Sequence, residues 1–125
     1  GHDIQLPGDA GTITPAEVRQ TPPFDNPGLR EIEPGRYEAV MLGIAWIFQP
    51  NEIRIPAGSE VTFILTSTDV IHGFNVEGTT VNGMLVPGQI TRITHTFRTP
   101  GEPLILCHEY CGIQHHTMYG RVIVE

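Results

Sequence analysis

No stretch of this 125-residue chain approaches the roughly 18 consecutive apolar residues of a membrane-spanning helix. No secretory leader is legible, and there is no initiating Met. Gly1-His2 reads as the remnant of a removed tag, and the whole as a soluble fragment cut from something anchored. Lysine is missing altogether: all seven basic residues are arginines, against fourteen acidic ones, for a net charge of -7. Such a surface argues against nucleic acid, whose phosphates need basic contacts, and favours a basic partner through steering. Helical periodicity is nearly absent. Cysteine is scarce, with only Cys107 and Cys111, and in an extracellular domain a disulfide is the first use to weigh for them.

What is present is turn-rich. Fourteen glycines and eleven prolines accompany 39% apolar residues, and the recurring turn signals favour an all-β sandwich or barrel in one domain. Residues 1–35 carry little periodicity and read as an extended N-terminal arm or linker. Within it, Thr14-Pro15-Ala16-Glu17 has a Thr N-cap and a Pro at the first helical position, enough for one short turn. From Tyr37 to Phe48 the pattern predicts one strand, with Val40, Leu42, Ile44, Trp46 and Phe48 on one face. Shorter strands follow over Glu52–Ile55 and about Glu60–Ser67, the latter with Val61, Phe63 and Leu65 inward. Glu77 to Gly88 reads as a connection. A strand over Gln89–Arg98 has a phase slip, Ile90 opposing Ile93, His95 and Phe97, so its start is irregular. Leu104-Ile105-Leu106 and Gly120–Val124 complete about seven strands, a Greek-key β-sandwich over residues 36–125 with one long loop between the last two.

That loop carries the chemistry: Cys107-His108-Glu109-Tyr110-Cys111-Gly112-Ile113-Gln114-His115-His116-Thr117-Met118. Thiolate and thioether sulfur favour copper and imidazole suits it, whereas calcium and magnesium want oxygen. A Cys2His2 zinc site from Cys107, Cys111, His115 and His116 would leave Met118 and the upstream His72 idle. A mononuclear blue-copper site needs one cysteine, two histidines and a weak methionine, and here there is one cysteine too many. Two bridging cysteines holding two coppers, with one imidazole each, use the set without remainder.

The spacing Cys107-x-Glu109-x-Cys111-Gly112-x-x-His115-x-x-Met118, preceded by Asp69-Val70-Ile71-His72-Gly73-Phe74, resembles the CuA domain of cytochrome c oxidase subunit II, most closely the short ba3-type subunits. The resemblance covers roughly residues 37–125 and includes Phe48-Gln49-Pro50-Asn51 and Pro87-Gly88. It implies a cupredoxin-like sandwich holding two copper ions bridged by Cys107 and Cys111. One copper would add His72 and Met118, the other His115 and the backbone carbonyl of Glu109. Gln114 departs from the small residue expected there. The resemblance further implies a single N-terminal membrane helix ahead of residue 1, a place on the periplasmic face, and electron transfer from cytochrome c to haem in subunit I. The domain would carry electrons for a proton-translocating oxidase and catalyse no bond chemistry alone.

By the same resemblance His108 and His116 are unliganded surface groups and the Glu109 carboxylate faces a catalytic subunit, while His95, set among strand residues, reads as a packing or edge group. Trp46 and Phe48 are candidates for donor docking as well as for core. Asp69 either supports the ligand loop by hydrogen bonding or lies exposed. Three other readings compete. Nitrous-oxide reductase shares the ligand set, but an aromatic residue would be expected between its cysteines. A CuA-containing nitric-oxide reductase would look much the same. A thioredoxin-like copper-delivery protein would carry Pro where Gly112 stands, and would alternate strands with helices.

Overall fold

A computed structural model describes residues 11–107 and 118–125. Within them ten strands form two sheets. The first sheet contains β1 (Gly28–Glu33), β2 (Arg36–Ile44), β5 (Ser59–Ser67) and β8 (Thr91–Phe97), in that order, with β3 (Ile47–Gln49) also on β2. The second runs β4 (Glu52–Ile55), β10 (Tyr119–Val124), β9 (Leu104–Leu106), β6 (His72–Val76) and β7 (Asn82–Leu85). Each sheet has one parallel pairing, β2 with β5 and β4 with β10.

The alternating apolar residues of both inner faces meet in one core. Val61, Phe63 and Leu65 of β5 point into it as their period of two requires, opposite Ile105, Val122 and Val124. Phe74 is its centre, edge-on to Phe48 at a centroid distance of 5.7 Å and tilted against Phe63 at 5.3 Å. Such ring pairs add to the burial energy because edge and face carry opposite partial charge.

The expected strand from Tyr37 to Phe48 is two strands. The chain reverses at Ala45-Trp46, and β3 returns antiparallel on β2 with Gly43 opposite Phe48. A period-two count cannot pass through a reversal. Phe48 therefore joins Ala39 and Met41 in the main core, while Val40 and Leu42 face the other way.

That other face is covered by the segment before β1. Residues 15–20 form a 3-10 helix with Thr14 at its N-cap position and Pro15 inside its start, and the Thr14 side chain makes no cap hydrogen bond. Ile13, Val18 and Phe24 bury against Val40, Leu42 and Ile64, with Ile44 and Ile90 alongside. Each large side chain so covered contributes about 1.5–3 kcal/mol. The region read as an extended arm thus supplies a helical turn, a buried cluster and, through β1, an antiparallel partner for β2. Gly35, at φ +82°, makes the tight turn between these strands.

Two further differences concern the second sheet. The connection after Glu77 contains β7, which pairs His72 with Leu85 and Phe74 with Gly83. A strand reading Asn-Gly-Met-Leu has little propensity of its own and is held by its partner. The irregular start of β8 is present as expected: Ile90 lies ahead of the strand, its N–H bonded to the Gly11 carbonyl.

Candidate metal centre

Three of the six expected ligands lie within the described residues, and strand register brings them to one end of the sandwich. Asn75 pairs with Leu106 in the antiparallel β6–β9 ladder, so His72 and Gly73 run alongside the chain leaving β9 at Cys107. Leu106 also pairs with Tyr119, so Cys107 and Met118 emerge side by side from adjacent strands. Cys111, His115 and Glu109, with His108, Gln114 and His116, fall in the loop these two residues bracket, outside the described residues.

His72 is 0% exposed, Met118 2% and Cys107 7%, and both sulfur residues belong to the main core. The Gly73 N–H donates to Cys107 Sγ at 3.3 Å, a bond that stabilises negative charge on sulfur. The His72 ring meets Asp69 Oδ1 at 3.0 Å through Nε2. Its Nδ1 is buried with no hydrogen-bond partner among the described residues. An orphaned buried polar atom costs about 1–3 kcal/mol, a cost removed when the nitrogen binds a metal. An imidazole lone pair, a cysteine sulfur and a thioether in an apolar shell form a donor set that fits copper.

Burial opposes ionisation of Asp69, but hydrogen bonds from the Ala45 and Val70 N–H groups and from His72 outweigh it, holding the carboxyl below its ordinary range. Ala45 N–H donates to Oδ2 at 2.7 Å and Val70 N–H to Oδ1 at 2.6 Å. Asp69 therefore supports the ligand segment, although a third of its side chain is open to solvent.

The reading of the sequence did not single out Gly43. A Cβ there would lie 2.7 Å from His72 Cδ2 and 2.8 Å from Leu85 Cδ2, so bare β2 backbone forms one wall of the imidazole pocket. The signal was available, since glycine inside an apolar strand marks a close approach.

Phe48 is 1% exposed and offers no surface to a donor. It is core, because the reversal before it turns its ring inward. Trp46 is half-buried against the core and, with Ile47, Asn51, Glu52, Tyr119, Gly120 and Arg121, lines a surface cleft of about 230 Å³. Ile47 and Tyr119 there are 54% and 51% exposed, and Tyr119 directly follows Met118. His95 is half-buried on β8, edge-on to Phe97 at 4.7 Å, the packing role expected of it.

The cytochrome c oxidase subunit II periplasmic domain family matches residues 33–125. Cytochrome c oxidase subunit 2 of Thermus thermophilus is 40% identical over 120 residues, covering 94% of this chain and 89% of that protein. A chain of a haem–copper terminal oxidase dimer solved by cryo-electron microscopy superposes with a TM-score of 0.79 at 36% identity, over 98% of this chain and 80% of that one. The blue copper protein auracyanin A of Chloroflexus aurantiacus shares the fold alone, with a TM-score of 0.59 at 15% identity over 73% of this chain and all of its own. The fold is cupredoxin-like, and the chain belongs to the cytochrome c oxidase subunit II family, as the periplasmic electron-transfer domain of that haem–copper oxidase subunit.

Proposed function

We propose that this domain holds a binuclear CuA centre. Cys107 and Cys111 would hold two coppers between them, His72 and Met118 would serve one, and His115 with the main-chain carbonyl of Glu109 the other. The observation that carries this reading is the Nδ1 of His72, without a hydrogen-bond partner among the described residues, in a buried, sulfur-bearing pocket. When bound, the copper pair supplies one-electron transfer with little change in bond lengths. The protein's own part is to hold the donors still and dry. Gly73 N–H draws charge from the Cys107 sulfur, Met118 and the core around it exclude water, and β2 backbone at Gly43 walls the imidazole.

In this reading residues 36–125 carry the copper domain and the residues before them brace its outer face. Electrons arrive from a cytochrome c at the cleft of Trp46, Ile47 and Tyr119, and leave for haem in subunit I of an oxidase that reduces O2 to water. A helix ahead of residue 1 anchors the domain to the membrane.

Electron paramagnetic resonance of the copper-loaded, partly oxidised protein tests the centre. One unpaired electron shared equally by two copper nuclei is the expected result. Hyperfine structure from a single copper would instead make the site mononuclear and release one cysteine.

A further inference from the structure

We infer that Asp69 is the positioning residue of this copper site: it holds the His72 imidazole in its Nε2–H form and fastens that ring to the corner at Ala45. The inference rests on the reading of His72 as a copper ligand. A neutral imidazole has one donor nitrogen and one acceptor nitrogen, and its partners decide which is which. An ionised carboxylate only accepts, so Asp69 Oδ1, 3.0 Å from Nε2, places the proton on Nε2. The lone pair is left on Nδ1, the buried nitrogen that has no partner among the described residues. The opposite tautomer would present an N–H at that point and bar a metal.

The carboxylate is itself held. Its Oδ2 accepts from Ala45 N–H and its Oδ1 from Val70 N–H. The buried Ser67 hydroxyl accepts from Asp69 N–H at 3.1 Å and donates to the Val70 carbonyl. Ala45 opens the reversal between β2 and β3, and the next two residues, Trp46 and Ile47, line the surface cleft. Two hydrogen bonds through one carboxylate thus join the cleft's corner to the imidazole. With Gly43 backbone against the ring, neither rotation nor tautomer exchange is left open to His72.

Asp69→Asn and Asp69→Ala separate these links. Asn keeps one accepting oxygen and replaces the other with a donor; Ala removes both acceptors. The deciding measurement is nitrogen-15 NMR of His72 in the reduced, copper-free protein, which distinguishes Nε2–H from Nδ1–H. Wild type is expected to be wholly Nε2–H, and Asp69→Ala a mixture. Copper titration should then show affinity reduced roughly 10–100-fold in Asp69→Ala, with a smaller loss in Asp69→Asn. The reduction potential should rise, because an imidazole without its carboxylate partner is a weaker donor to the oxidised metal. An unchanged Nε2–H form with an unchanged potential in Asp69→Ala would overturn the inference, since a purely structural Asp69 would leave the ring proton where it is. If circular dichroism shows Asp69→Ala unfolded, the tautomer and potential of Asp69→Leu, which also removes both acceptors and is closer in volume, decide by the same criteria. A wild-type protein that takes up no copper would sink the reading of the site, while the metal-free tautomer measurement still decides the role of Asp69.

Discussion

His72 concentrates the residue-scale problem. A fully buried imidazole with one nitrogen on a carboxylate and no partner for the other among the described residues is unstable unless the second nitrogen has a use. Cys107 and Met118, also buried, supply sulfur at the same end of the core. Replacing Met118 with Leu is close to volume-conserving and should cost less than about 1.5 kcal/mol of stability. In the proposed centre this would remove a weak donor, so the binuclear resonance signature should persist while voltammetry shows a higher reduction potential. His95 makes a prediction of a different kind. Burial, with a smaller push from Arg98, holds its pKa below the ordinary value, so the folded state keeps it neutral while the unfolded chain protonates first. The stabilisation this neutral ring provides is whole above about pH 6.5 and is lost as pH falls through that value toward the lower folded pKa. His95→Gln should therefore lose less stability than wild type between pH 7.5 and 5.5, as denaturant midpoints of the two proteins would reveal.

At the scale of elements, the site depends on close approaches between strands. Gly120 is the second residue of β10, two after Met118, and a Cβ there would lie 2.4 Å from the Asn51 carbonyl oxygen. Asn51 in turn accepts from Arg121 N–H at 2.8 Å, where the parallel β4–β10 pairing begins. Backbone offers no rotamer by which to escape. Gly120→Ala should cost about 1–3 kcal/mol in urea unfolding and should loosen copper, because the strand that directly follows Met118 must shift. The elements that eluded sequence reading share a reason. β1 and β7 have weak patterns and exist because β2 and β6 offer them an edge, and β3 was hidden because the reversal at Ala45-Trp46 contains neither Gly nor Pro. The strands that were legible, β4, β5, β9 and β10, have apolar patterns fenced by Pro, Gly or the ligand loop.

For the whole molecule, the proposed function would have the net charge of -7 and the cleft lined by Trp46, Ile47 and Tyr119 divide the work of donor recognition. Long-range attraction should set the encounter rate with a basic cytochrome, and exposed apolar surface at Ile47 and Tyr119 should set the fit on arrival. Stopped-flow reduction by such a cytochrome should slow as ionic strength rises from 0.01 to about 0.15 M, where the screening length shrinks from roughly 30 to 8 Å. Ile47→Ser should lower the rate at every salt concentration without changing the slope. A slope altered by Ile47→Ser, or a rate indifferent to salt, would contradict this division.

The amino-acid sequence by itself determined the fold class and the family. Period-two patterns dictate strands, turn residues delimit them, and the spacing from Cys107 to Met118 with Asp69 to Phe74 upstream is a local chemical signature. It also named His72, Cys107 and Met118 as candidate ligands, because donor chemistry belongs to residue types. Only the tertiary structure decided which face of β2 meets the core, that Phe48 is buried, and that residues 13–24 cover the outer sheet. It alone placed Asp69 on Nε2 of His72 and Gly43 beneath the ring. These are contacts between segments far apart in the chain, and no local pattern encodes a distance across two sheets.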